Sequence, residues 1–193
     1  MRCNWADYDP LMAEYHDKEW GVPLFDDRKQ FEFLSLEVMQ CGLSWMTVLK
    51  KREALNKVFD GFEPGIVSRY DETKIESIMA FDGIIHSIRK VRAIVNNAKC
   101  FLRIKQEFGS FSNYIWHFTD GRSVEYPGHA DVSVFVARNE LSDTISADLK
   151  KRGFSFLGSV TVYSHLQASG VINDHMDYCF RYKELKEKGI QTR

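Results

Sequence analysis

The sequence predicts a mainly α-helical protein, and three observations carry the prediction. Apolar residues recur at helical spacing along most of the 193 residues, residues that start and stop helices bracket those runs, and strand signals are weak. With 44% hydrophobic and 13% aromatic residues, the chain can fill one domain core, or two lobes that share one. A single unit spanning 1–193 is the expectation.

In chain order, Asp9-Pro10 supplies a cap and a first helical position for a helix over Pro10–His16. Arg28 to Gln40 is apolar nearly all round (Phe31, Phe33, Leu34, Leu36, Val38, Met39), the pattern of a buried helix, and Gly42 ends it. Ser44 caps the next helix, where Trp45, Val48, Leu49, Leu55, Val58 and Phe59 keep helical spacing until Asp60-Gly61 closes it. A short helix over Asp71–Phe81 and a longer one over Ser87–Ile104 follow. Ser110 caps a short aromatic helix through Trp116. Periodicity then fails from Thr119 to Arg138, where Gly121, Pro127 and Gly128 mark a loop with room for short extended segments at Ser123–Tyr126 or Val132–Val136. Helix resumes near Ser142, with Ile145 and Leu149 one turn apart, and the charged tail Lys183–Arg193 reads as a frayed helix end.

Composition excludes several classes. A net charge of −1 is not that of a polycationic nucleic-acid binder, so any such contact must come from local basic spots. No apolar run approaches the ~18 residues of a membrane span, and Met1–Asp9 lacks the apolar stretch of a secretory signal. A cytoplasmic protein is expected. Cys3, Cys41, Cys100 and Cys179 are scattered, which favours metal binding or free thiols over a disulfide framework.

Three local patterns carry chemistry. The first is Leu36–Leu49, where Glu37 lies inside an apolar run, Gly42 breaks the helix and Trp45 stands on the first turn of the next. A buried acid is costly unless paired, and an aromatic at a helix break can stack on a flat ligand, so this stretch reads as a nucleobase pocket. The plainer alternatives are a salt-bridged core acid and a packed tryptophan. The second is Leu149–Gly158, a turn with glycines at both ends between helical patterns, about residues 142–169 in all. Such a helix–hairpin–helix frees N–H groups at a helix start for a phosphate, and Lys150, Lys151 and Arg152 add positive charge. Ordinary helix packing with solvated lysines is its alternative. The third joins the chain's two ends, residues 1–20 and 170–180. His175 and Cys179 share one face if helical, and with Cys3 and His16 they make a Cys2His2 set suited to tetrahedral zinc; two unrelated pairs are the alternative. Cys41 and Cys100 read as buried free thiols, and His86, His117, His129 and His165 as surface or loop histidines.

Taken in order, Arg2-Cys3-x-Trp5, Asp9-Pro10-Leu11, Tyr15-His16-Asp17-x-Glu19-Trp20-Gly21-Val22-Pro23, Leu36-Glu37, Gly42-Leu43-Ser44-Trp45, Val48 to Glu53, Lys150 to Phe154 and Asn173-Asp174-His175 make the chain similar to the 3-methyladenine DNA glycosylase I family of the helix–hairpin–helix superfamily. The resemblance implies a mainly α glycosylase fold whose ends are joined by one structural Zn2+ held by Cys3, His16, His175 and Cys179. It implies that Glu37 is the catalytic-pocket carboxylate, that Tyr15 and Trp45 enclose the base with Trp5 lining the cavity, and that Gly42-Leu43 wedges the duplex. Lys151, Gly153 and Gly158 would contact DNA phosphate. The implied activity is excision of 3-methyladenine from double-stranded DNA carrying alkylated bases, in the bacterial cytoplasm, by a chain expected to be monomeric. No lysine lies in the pocket stretches to form a Schiff base, so a monofunctional, water-using enzyme is expected. Asp174 adjoins a metal-site histidine and is given no catalytic role. The family often has tyrosine where this chain has Met12, which removes a second tyrosine and leaves open a protein that only shelters alkylated bases. A zinc-stapled helical interaction module is the third reading.

Overall fold

The computed structural model describes residues 1–125 and 136–187. Its helices are α1 (Pro10–Lys18), α2 (Asp27–Gln40), α3 (Trp45–Val58), α4 (Pro64–Val67), α5 (Glu72–Met79), α6 (Ile88–Phe108), α7 (Phe111–His117), α8 (Glu140–Lys151), α9 (Ser159–Ala168) and α10 (Phe180–Glu187), with short 3-10 turns at Asn4–Ala6 and Asp60–Phe62.

The helix starts follow the capping chemistry. The Asp9 carboxylate accepts the Leu11 N–H at 2.8 Å, the Ser44 hydroxyl accepts that of Thr47 at 3.2 Å, and the Ser110 hydroxyl accepts that of Asn113 at 2.9 Å. α8 begins before Ser142 because Asn139 is the true cap: its side chain accepts the Ser142 N–H while the Ser142 hydroxyl accepts the Asn139 N–H, both at 2.9 Å. α6 runs past Ile104 to Phe108, where Gly109 at φ +81° stops it.

α2 is the axis of the fold. Every residue from Gln30 to Met39 is buried, as an all-apolar surface requires, and α3, α6, α7 and α9 pack around it. The main core gathers residues from nearly every helix, including Phe31, Leu34, Phe59, Phe101, Phe111 and Leu166. A smaller apolar cluster of Met12, Tyr15, Phe33, Leu49 and Ala168 joins α1 to α2, α3 and α9.

Extended structure is limited to a single parallel bridge between Val124 and Ile172 among the described residues, within the Ser123–Tyr126 expectation. Most of Val132–Val136, and the tail beyond residue 187, lie outside the described residues. Two expectations are corrected. His175 and Cys179 occupy an irregular segment ahead of α10, not a helix. His165 is 1% exposed on α9, not a surface histidine; burial pushes its pKa down to about 3, and neither ring nitrogen has a partner among the described residues. α9 presents one face to α2, and position 165 falls on its buried side.

The loop after α1 crosses the end of α9 backbone to backbone. The Gly21 N–H donates to Gln167 at 3.1 Å and the Leu24 N–H to Ser169 at 3.0 Å. Gly170 makes this crossing possible: at φ +71°, a Cβ there would lie 2.5 Å from the Pro23 nitrogen and 2.6 Å from the Val22 carbonyl carbon. Backbone cannot yield as a side chain can, so Gly170→Ala is expected to cost about 3 kcal/mol or more, read as a lowered urea midpoint with unchanged m-value.

Candidate base pocket and metal cluster

Glu37 lies on the last turn of α2 and is 4% exposed. Among the described residues nothing hydrogen-bonds or ion-pairs its carboxyl, and burial is the one influence on it, pushing it up to about 8. The arginine of the neighbouring helix is already engaged. Arg52 donates to both oxygens of Glu19 at 2.7 and 2.8 Å and to Glu32 at 2.8 Å, while Lys29 lies 2.9 Å from Glu32. A salt-bridged core acid is therefore not what this position holds.

Tyr15, on α1, and Trp45, the first residue of α3, meet at 5.2 Å between ring centroids with a 50° tilt. Burial first, and the charge of Glu37 second, push the Tyr15 hydroxyl well above its usual range. The Trp45 indole Nε1 is buried with no hydrogen-bond partner among the described residues. Buried polar groups are nearly always satisfied, yet the last turn of α2 and the first residue of α3 each carry one that is not. Met12 packs in the same cluster as Tyr15. Trp5 also packs against that cluster, but its ring contacts are His16 at 5.3 Å and Trp20 at 4.9 Å, so it bridges the pocket wall to the metal cluster.

After α2, Gly42 at φ +79° turns the chain and Leu43 stands 42% exposed just before the Ser44 cap. Cys41 is half-buried rather than fully buried; its thiol reaches the carbonyl of Phe156 at 3.9 Å and the Thr161 hydroxyl at 3.6 Å. The Leu43 turn therefore lies beside the α8–α9 turn. In that turn Gly153 has φ +91°, and Gly158 precedes α9 with no side-chain cap. Gly158 has ordinary dihedrals and a Cβ there would meet nothing within 4 Å; no side chain caps the first N–H groups of α9, and the Asp143 carboxylate bonds the Ser159 side chain at that helix start. Lys150 and Lys151 are exposed without an ion pair among the described residues, whereas Arg152 is turned back onto Glu107 and Asp148, each at 2.6 Å.

Cys3, His16, His175 and Cys179 are buried together, with one donor atom from each lying within 4.8 Å of the others. His175 Nδ1 is 3.2 Å from His16 Nε2 and 3.7 Å from both thiols, and His16 Nε2 is 3.4 Å from the Cys179 sulfur. A tetrahedral ion with bonds of about 2.0 Å to nitrogen and 2.3 Å to sulfur leaves donor separations of about 3.3–3.8 Å, so the set fits a metal. The outer nitrogens are oriented as ligands require: His16 Nδ1 lies 2.8 Å from the Asp17 carboxylate and His175 Nε2 lies 3.0 Å from the Trp20 carbonyl. Arg2 in turn grips Asp17 at 2.8–2.9 Å. Gly21 leaves room for this: a Cβ there would meet His175 Nε2 at 2.7 Å.

Sequence reasoning missed Trp20, Arg52 and Lys90. Trp20 was visible only as part of a motif. Arg52 showed no helical partner because its acids come from α1 and α2. Lys90 is 8% exposed and donates to the carbonyls of Met39 at 2.8 Å and Cys41 at 2.6 Å, some fifty residues away in sequence.

The end of α2 thus carries a buried acid without a counter-charge among the described residues, followed by an exposed leucine and the Tyr15–Trp45 ring pair. Residues 5–182 match the methyladenine glycosylase family. The chain is 40% identical over 181 residues to DNA-3-methyladenine glycosylase 1 of Escherichia coli K12, covering 94% of this chain and 96% of that protein. It is similar to a crystal structure of 3-methyladenine DNA glycosylase I, with 42% identity, a TM-score of 0.89 and 93% and 98% of the two chains covered. It is also similar to the Staphylococcus aureus enzyme of that name, described for its 3-methyladenine recognition, at 38% identity and TM-score 0.88 over 93% and 95%. These relatives are DNA glycosylases, and that is the class the fold and the site define. The chain belongs to the methyladenine glycosylase family.

The raised Glu37 pKa has a stability consequence. The folded protein keeps a proton that the unfolded chain releases above its ordinary value of 4.5, so without ligand this group makes stability fall as pH rises from 4.5 to about 8. Glu37→Gln removes that loss. The variant should be more stable than wild type by a margin that widens across pH 5–8, at up to about 1.4 kcal/mol per unit, in urea melts taken at each pH.

Proposed function

We propose that the chain acts as one unit that flips an alkylated nucleotide out of double-stranded DNA and hydrolytically excises 3-methyladenine. The observation that supports this best is the unpartnered Glu37. Alkylation at N3 makes adenine cationic, and departure neutralises it, so little acid catalysis is required; the tasks are extrusion, at a few kcal/mol, and recognition. A cationic base draws Glu37 into its ionised form through a charge-assisted hydrogen bond, whereas unmodified adenine offers no charge to offset the desolvated carboxylate. Trp45 adds a face for cation–π stacking, worth up to ~2 kcal/mol when desolvated, and the Tyr15 ring packs against it. Met12 contributes apolar wall and no second phenol.

Around the pocket, Leu43 on the Gly42 turn serves as the wedge that fills the gap. The uncapped N–H groups after Gly158, with Gly153 shaping the turn and Lys151 supplying charge, hold a phosphate in helix–hairpin–helix fashion. Trp5 lines the far wall. The reaction uses water without a lyase step. Lys90, the buried lysine below the pocket helix, points its amine at two backbone carbonyls instead of at the base. Cys3, His16, His175 and Cys179 would hold Zn2+, a closed set with no open position and hence a structural site, which supplies the positive charge that lets two thiolates and two neutral imidazoles share a dry interior.

Incubation with methylated duplex should release free 3-methyladenine, and Glu37→Ala should slow release by about 10- to 100-fold, the equivalent of a lost charge-assisted bond of 1.5–3 kcal/mol. Equal release by the variant would sink the role of Glu37, and tight binding without release would favour a sheltering protein. Metal analysis should find about one zinc per chain, with Cys179→Ser abolishing it and lowering the melting temperature.

A further inference from the structure

Among the described residues no side chain of α6 hydrogen-bonds Glu37, Cys3, His16, His175 or Cys179, yet its polar side chains reach both turns that the proposed function sets against DNA. Lys90 spans the carbonyls of Met39 and Cys41. These are end groups of α2 that lack partners within the helix, and the neighbouring Gln40 carbonyl is taken by the Leu43 N–H at 2.6 Å. The ammonium therefore closes the helix end from which Gly42 and Leu43 project. Two turns along α6, Asn97, 2% exposed, reads the other turn: its amide donates to the Ser155 carbonyl at 3.0 Å and its oxygen accepts the Ser155 N–H at 2.8 Å. Asn96 adds a bond to the Gly153 carbonyl at 2.7 Å and Arg103 one to the Arg152 carbonyl at 3.0 Å. In every one of these bonds the partner of the α6 side chain is a backbone group, so the bonds fix where the chain runs.

We infer that Lys90 and Asn97 are positioning residues for the duplex reaction: α6 sets the distance between the Leu43 turn and the Gly153–Gly158 turn, so that one phosphate grip and one wedge act on the same flipped nucleotide. The two anchors are seven residues apart, a fixed step of about 10.5 Å along a rigid helix. The inference rests on the reading of those turns as DNA contacts. It separates two properties that a general loss of structure would not, because the free base fits between Glu37, Tyr15 and Trp45 whatever the spacing of the turns.

The test compares Lys90→Met and Asn97→Leu with wild type in two assays, single-turnover excision from methylated duplex and equilibrium binding of free 3-methyladenine followed by tryptophan fluorescence. Excision should fall at least tenfold while affinity for the free base stays within twofold. In a Leu43→Ala background, Lys90→Met should add less than a twofold further loss, because its effect passes through that leucine. Lys90→Gln, which keeps one donor, should recover part of the rate, and if Lys90→Met does not fold then Lys90→Gln and Asn97→Leu decide. Unchanged excision by folded variants of an active wild type overturns the positioning role, as does a parallel loss of free-base binding. Wild type that releases no base overturns the proposed function itself.

Discussion

A carboxyl taken out of water with nothing to balance it is the constraint on which this structure turns. Another acid on the same helix, Glu32, shows that the fold can satisfy such groups when stability alone is at stake. Glu32 is met by Arg52 and Lys29, and Arg52 also bridges to Glu19 at the end of α1. One and a half turns later Glu37 is met by nothing. Placing a charge partner there would relieve the fold and, in the function proposed for Glu37, remove the preference for a cationic base.

The surrounding architecture holds that acid in place. α2 is wrapped on all sides, so its last turn cannot lean toward water. The α1 wall, with Tyr15 and Met12, is attached to α2 and α3 by the small apolar cluster and by the bidentate Arg52–Glu19 pair. The loop behind α1 is pressed onto α9 at Gly170, and Trp5 and Trp20 fill the space between pocket wall and the Cys2His2 set. Aromatic edges and backbone crossings, rather than strands, carry the long-range order.

Much of this was legible in the residues. Asp9, Ser44 and Ser110 announced helix starts because capping is local, and the all-round apolar pattern of Arg28–Gln40 announced a buried helix. The burial of Glu37 without a partner among the described residues, the meeting of Tyr15 and Trp45, and the gathering of Cys3, His16, His175 and Cys179 agree with the expected placement, although a family pattern did part of the work. What stayed hidden was pairing across distance. Nothing near Lys90 in sequence reveals that it closes α2, and His165 looked like a surface residue because its burial is decided by α2 and not by its neighbours. The Cys3, His16, His175 and Cys179 set came out as expected while the helical step assumed for its last two members did not: an irregular segment brings donors together as well as a helix turn does.

The donors that meet in the metal cluster come from residues 3 and 16 on one side and 175 and 179 on the other, and the Phe180 N–H reaches the Met1 carbonyl at 3.1 Å. During synthesis the first pair leaves the ribosome long before the second, so α1 has no finished seat until His175 and Cys179 arrive. The wall that carries Tyr15 is thus completed last although it is made first. A chain truncated before His175 would carry Glu37, Tyr15 and Trp45 and still lack half of the Cys2His2 cluster against which α1 is seated.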